Sequence, residues 1–463
     1  MEKSVVFPGR VILTLLLLAG LAGCMMPNQP AEEPPEEALS HEQLLANLDT
    51  LQGPATRSLT QPNMTVFTLP SGSRLSTRDL SAYLNAIKTD LAACVSARTA
   101  GKPYLVVPMR LSWNSAYGPE SGLMWMPFTW GRPRSFPVIA YQHGTQVYRQ
   151  CAPSRFNANP LSVLASPDLT GALQNYVECT VGALMASAGY IVAMPDYIGF
   201  GDSIQDHPFV TMELGESVKG ALDAAFKALK SRVVSPRKNV SLAGYSEGGY
   251  ATMAGALALG LQYEGEPLCA VVPCGGPYDL AGTMLNQMLY DTDVKVPSYL
   301  LYTASGYHAV YDDQVDYDEL LLPDYAGYLE AGRFDGTHTN AEIAALGLPS
   351  TPSEMLTEAA YQDLTHMKGA VYTLLLDNDG WMGWDTYQAA SLVPVSFVHC
   401  LRDDVVPFGN AVVAVGALQL FGVPVSLIPV PPVPFLDLVA GSIHAAAYPT
   451  AMLAAFTIID GLN

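Results

Sequence analysis

Ser246 stands between two glycines in "LAGYSEGGYATMAGALALG", residues 242–260, where an apolar run gives way to a helix of small residues. A serine hydroxyl is a weak nucleophile unless a base takes its proton and donors receive the negative charge that its attack creates. The spacing Gly244-x-Ser246-x-Gly248 suits that chemistry when a strand precedes it and a helix follows, because a sharp turn then lifts the hydroxyl clear of the sheet. Glycine on both sides spares such a turn from Cβ clashes. The Glu247 backbone N–H then lies at a helix N-terminus, where an unpaired donor and the helix dipole favour a developing oxyanion.

A base, an acid to orient it and a second donor must come from elsewhere in the chain. Of the eight histidines, His444 in "LVAGSIHAAAYP" follows the last expected strand and precedes the last helix, where a loop can carry an imidazole over the serine. His41, His207, His308, His338 and His366 fall in a spacer, a loop or a helical insertion, and His399, which ends a strand, is the rival worth testing. Three carboxylates could orient the base: Asp403 and Asp404 in "LRDDVVPF", after a buried strand, and Asp279 in "GGPYDL". The second donor is expected after the third strand, in "YQHGT", from the backbone of Gly144 or Thr145, with His143 shaping the loop.

The elements around these residues read as an α/β protein. Strand-like runs at 104–113, 122–128, 136–145, 190–197, 239–246 and 268–276 alternate with helical stretches at 175–189, 215–232 and 247–261. The alternation resumes at 393–400 with a helix at 408–422, a strand at 425–430 and a last helix at 445–462. Short apolar strands spaced by such helices predict a mostly parallel central sheet flanked by helices on both faces. The expected catalytic domain is therefore 104–280 with 391–463, and the Tyr- and Asp-rich stretch 281–390 is a helical cap or lid inserted into it. Residues 46–103 form an N-terminal elaboration with a helix over 78–98.

At 463 residues, 49% hydrophobic and 14% charged, the chain has the composition of a folded globular protein. Its net charge of −20 disfavours nucleic acid and anionic lipid headgroups, so no nucleic-acid partner is expected. "DYIGFGDS" lacks the lysine of a phosphate-binding loop, and "YDDQVDYDE" lacks the spacing and glycine of a calcium loop. No cofactor and no metal is implied.

The N-terminus carries Lys3 and Arg10 before a short apolar core that ends in "LAGC", which reads as an export signal over residues 1–23. Its end resembles the lipobox of bacterial lipoproteins, which implies acylation of Cys24 and a Pro- and Glu-rich spacer at 24–45. Six cysteines remain, Cys94, Cys151, Cys179, Cys269, Cys274 and Cys400, an even set open to disulfide pairing in an oxidising compartment.

"YQHGT", "MPDYIGFGDS", "AGYSEGG", "GGPYDL" and "LRDDVVPF", in this order, resemble the α/β-hydrolase superfamily and, within it, the secretory lipase-like esterases and lipases. The likeness covers about residues 100 to 460. It implies a Ser246, Asp403, His444 triad, with Asp404 left over, and hydrolysis of carboxylic esters of small-molecule or lipid type. A serine peptidase of the same fold would use the same triad, and a non-catalytic surface-binding lipoprotein could be built on the same scaffold. The expected location is outside the cytoplasm, on a membrane through the lipid anchor; oligomeric state is not legible.

Overall fold

The computed structural model describes Thr99 and residues 103–230, 232–387, 392–433 and 441–463. The expected leader, Cys24, the spacer, and the N-terminal helix with Cys94 lie outside the described residues.

Eight strands form one sheet: β1 (Val106–Ser115), β2 (Gly118–Pro127), β3 (Arg134–Gln142), β4 (Ile191–Pro195), β5 (Val234–Tyr245), β6 (Ala270–Cys274), β7 (Val395–Cys400) and β8 (Val425–Val430). Their spatial order is β1-β2-β4-β3-β5-β6-β7-β8. β1 pairs antiparallel with β2, and β2 with β4, while every pair from β4 to β8 is parallel. The expected mostly parallel sheet is thus present, with an antiparallel edge supplied by the first two strands. All of β4, β6 and β7 is buried, which is why these strands read as unbroken apolar runs.

Successive side chains of a strand face opposite layers, and the two cores follow that rule. Val138, Ala140 and Leu242 share a core with α2 (Leu214–Leu229). Ile139, Tyr141 and Ala243 share the other with α1 (Leu169–Ser187) and the C-terminal α7 (Ile443–Leu462). α1 begins earlier than its apolar periodicity suggested, because Asp168 accepts a hydrogen bond from the Gly171 N–H and caps it. Between α2 and α7 in the chain lie α3 (Glu247–Ala258), α4 (Ser298–Tyr311), α5 (Gly369–Asp377) and α6 (Gly409–Leu420). α3 is buried over its first ten residues and lies close against α2: a Cβ on Gly215 would sit 2.4 Å from the Ala254 carbonyl oxygen. Small residues at that crossing are a packing requirement. Among the described residues α7 is the one helix long and apolar enough to cross a membrane, yet its buried side packs on the sheet.

From β6 to β7 the chain builds a mostly helical segment with its own core. Leu301, Tyr302 and Tyr307 of α4 pack there with Phe200, Phe209 and Val210 from the loop after β4 and with Tyr250 and Ala251 of α3. The neck of the segment is a π-helical turn, Leu280–Met284, whose unpaired N–H groups are taken by two carboxylates. Asp379 Oδ1 accepts from Leu280 at 2.7 Å and Ala281 at 3.2 Å, and Asp279 Oδ2 accepts from Thr283 at 2.7 Å.

The expectation of disulfides is not met among the described residues: Cys151, Cys179, Cys269, Cys274 and Cys400 are all free. An even count says nothing about proximity, and four of these thiols serve as buried packing groups instead. Cys179, for example, donates to Asn175 Oδ1 at 3.2 Å inside α1.

Candidate active site

Ser246 follows β5 and caps α3 with φ +61° and ψ −126°, a backbone conformation that costs a non-glycine residue roughly 1–3 kcal/mol. Close packing on both sides holds it there. A Cβ on Gly244 would lie 2.3 Å from the Gly248 carbonyl oxygen, and one on Gly248 would lie 2.2 Å from that of Gln142. Neither glycine has a positive φ; each is needed for space. Ser246 itself is 8% exposed.

Sheet register brings the other parts to this turn. Gln142 pairs with Gly244, so the residues after β3 run beside Ser246, and Tyr245 pairs with Cys274 on the other side. The N–H groups of Thr145 and Glu247 have no hydrogen-bond partner among the described residues. Both residues line one cavity with Ser246. Gly144 is different: its N–H points at the Glu178 carboxylate, 3.1 Å from Oε2 and 3.3 Å from Oε1. Of the two candidates for the one donor expected in this loop, Gly144 is therefore occupied and Thr145 is free.

His444 meets both neighbouring acids, in different ways. Its Nδ1 lies 2.7 Å from Asp403 Oδ2, and its backbone N–H donates to Asp404 Oδ1 at 3.0 Å. The Asp403 carboxylate is fully buried and also accepts from the Val405 and Val406 N–H groups at 3.1 and 2.8 Å. Burial alone would push its pKa up; the His444 and His399 imidazoles and the Val406 N–H outweigh it, and the net direction is down. Asp403 is thereby held ionised beside the ring. His444 Nε2 is buried and has no partner among the described residues. The ring packs against Tyr245, the residue before Ser246, at 4.9 Å between centroids, and the Tyr245 hydroxyl donates to the His444 carbonyl at 2.6 Å. His444 lies in the first turn of α7, capped by Ser442, rather than in the loop before it.

The rival residues are engaged elsewhere. His399 Nε2 donates to the Val406 carbonyl at 2.9 Å, and burial lowers its pKa despite Asp403 nearby. Asp279 serves the neck of the helical segment. His143 stacks on Tyr197 at 4.2 Å and turns Nδ1 to the Gly144 carbonyl at 2.7 Å, so it shapes the loop after β3.

Two buried carboxylates near the site carried no sequence signal. Glu247 Oε1 lies 2.5 Å from His207 Nε2, and His207 Nδ1 donates to the Ile198 carbonyl at 2.8 Å, so a proton must lie between glutamate and imidazole. Glu178, in the middle of α1, also accepts from Gln174 Nε2 at 3.0 Å. Burial lifts its pKa to about 7 against those hydrogen bonds, and at neutral pH both protonation states still offer Gly144 an oxygen. Each glutamate looked like an ordinary helix residue because its partner is distant in sequence.

The cavity in front of Ser246 holds about 900 Å³ of empty space, part of it open to solvent. Its walls are overwhelmingly apolar, from Phe209 and Val210 after β4 through Leu300 and Tyr307 of α4 to Val371 and Leu375 of α5. Among the described residues no group of His, Cys, Asp and Glu side chains has the arrangement of a metal site.

A family model described as secretory lipase matches residues 166–272, from just before α1 to the middle of β6. In three dimensions the chain is similar to a hydrolase from Legionella pneumophila subsp. pneumophila str. Philadelphia 1, with 23% identity and a TM-score of 0.63 over 80% of this chain and 94% of that one. It is also similar to the rice cell wall degrading esterase LipA from Xanthomonas oryzae, with 20% identity and a TM-score of 0.60 over 78% and 93% of the two chains. No curated protein matches it. The fold is that of the α/β-hydrolases, and the resemblance to secretory lipases read from the motifs is borne out over residues 166–272.

Proposed function

We propose that this protein is an exported serine hydrolase that cleaves carboxylic esters with an apolar acyl group. The observation that carries this is one arrangement: Ser246 on a strained strand-to-helix turn, with two unpaired backbone N–H groups, Thr145 and Glu247, beside it at an apolar cavity. Ser246 Oγ attacks the ester carbonyl while His444 Nε2 takes its proton. The oxyanion is held by the Thr145 and Glu247 N–H groups, and Asp403 keeps the proton of His444 on Nδ1 and stabilises the imidazolium. Collapse of the tetrahedral intermediate expels the alcohol, which leaves with the proton from Nε2. Water, deprotonated by the same nitrogen, then releases the acid and restores Ser246.

The stretch over residues 281–390 acts as a cap whose helices wall the acyl site. The lipobox-like end of the leader supports anchoring through acylated Cys24, with the spacer holding the catalytic domain clear of the membrane. The test is hydrolysis of p-nitrophenyl esters from two to sixteen carbons by the wild type and Ser246→Ala, with fluorophosphonate labelling of both. Turnover and labelling that vanish in Ser246→Ala are expected. Turnover of aminoacyl amides in preference to esters would move the reading to a peptidase, and a folded wild type that neither labels nor turns over would leave a binding role.

A further inference from the structure

Glu178 is a buried carboxylate that the proposed reaction does not use, and its position has a physical cost. It is 4% exposed, and the other ionisable groups acting on it or feeling its charge, Tyr141 of β3, Cys179 of α1, Tyr197 after β4, Glu247 of α3 and Tyr448 of α7, include no cation. A leucine would fill this place in α1 without that penalty. What the carboxylate does is accept the Gly144 N–H with both oxygens, while Gln174 holds Oε1 from the other side.

Those contacts are part of a set that fixes the chain up to one residue. The Tyr197 hydroxyl donates to the His143 carbonyl at 3.0 Å, His143 Nδ1 meets the Gly144 carbonyl at 2.7 Å, and Glu178 takes the Gly144 N–H. Thr145 is the next residue, and its N–H is unpaired among the described residues. Thr145 and Tyr299 of α4 both line the cavity in front of Ser246. We propose that Glu178 is a positioning residue for the oxyanion site: by pinning the Gly144 N–H toward α1 it aims the Thr145 N–H at the carbonyl oxygen of an ester held by Ser246. This rests on the serine-hydrolase reading above. A donor displaced by a few tenths of an ångström weakens an interaction that matters most in the transition state, so the loss falls on kcat and leaves KM nearly untouched.

The experiment compares full-length wild type, Glu178→Gln, Glu178→Leu and Gln174→Leu in p-nitrophenyl ester kinetics, with hydrogen–deuterium exchange of peptides covering residues 141–148. Glu178→Gln keeps an oxygen for Gly144 and is expected within about 3-fold of wild type in kcat. Glu178→Leu is expected to lose roughly 10- to 100-fold in kcat with KM within about 3-fold, and to exchange faster over 141–148. Gln174→Leu, at a half-buried site that tolerates change, lowers kcat by a smaller factor in the same pattern and carries the test if Glu178→Leu does not fold. The inference is overturned if either leucine variant keeps wild-type kcat, if KM moves in place of kcat, if Glu178→Gln falls as far as Glu178→Leu, or if exchange over 141–148 is unchanged. Failure of the hydrolase reading is a separate signal: a wild type without esterase activity, or a Ser246→Ala variant that keeps it, removes both claims together.

Discussion

Replacing Asp379 by asparagine should stabilise the protein, and more so as pH rises. Asp379 sits at the neck of the helical segment, 2% exposed, where Oδ1 already accepts two backbone N–H groups that an asparagine oxygen can also accept. Burial, with the like charge of Asp279, lifts its pKa from the ordinary 3.8 to about 7. A carboxyl with a raised folded-state pKa binds its proton more tightly in the folded chain. Its contribution is therefore fully present below about pH 4 and is lost as pH climbs through 7. At 1.36 kcal/mol per pKa unit the loss by pH 8 is at most about 4 kcal/mol, and relaxation around the charge brings the expected value to roughly 2–4 kcal/mol. Asparagine does not titrate, so Asp379→Asn should match the wild type near pH 4.5 and exceed it at pH 8 by roughly 2–5 °C in Tm. Thermal unfolding followed by circular dichroism at half-unit pH steps is the assay. A difference between the two proteins that stays constant, or shrinks, from pH 4.5 to 8 refutes the argument.

Other outcomes follow from the geometry of the site. Asp403→Asn should lower kcat by roughly 10³- to 10⁴-fold, because the amide cannot hold His444 in the useful tautomer. Asp404→Asn keeps an oxygen for the His444 backbone N–H and should cost less than about 10-fold; equal losses in the two variants would show that the orienting acid is misassigned. Leu375→Trp, which fills the cavity wall on α5, should shift the preferred acyl chain to shorter lengths in a p-nitrophenyl series, and an unchanged profile would place the acyl group elsewhere. Gly248→Ala should yield little folded protein, since its Cβ meets backbone at 2.2 Å; wild-type expression and Tm would contradict the packing described at the turn. Denatured but unreduced protein should react with maleimide at five thiols or more, which thiol counting by mass spectrometry checks.

Legibility in the sequence tracked the range over which each signal acts. Ser246 and its glycines form a local pattern, and the strand before it and helix after it are contiguous, so the turn could be read directly. The parallel strands were equally plain, because burial on both faces leaves apolar runs with few interruptions. The choice between Thr145 and Gly144 was not legible, because it depends on Glu178 reaching back from α1 to a loop 34 residues earlier in the chain. Asp403 and Asp404 are adjacent and chemically alike; only the folded chain separates the one that meets the His444 ring from the one that meets its backbone. Cysteine parity misled for a related reason, since counting residues carries no information on whether two sulfurs can approach.

The parts of the proposed site lie on opposite sides of the helical segment in the chain, with Ser246 about 200 residues ahead of His444. Contacts across so long a separation close late, and among the described elements α7, which carries His444, leaves the ribosome after the others. Under the proposed triad, a chain still being synthesised therefore carries Ser246 with no His444 imidazole beside it. With that triad the order of elements works as a timing device: hydrolytic capacity arises only when α7 has docked on the sheet.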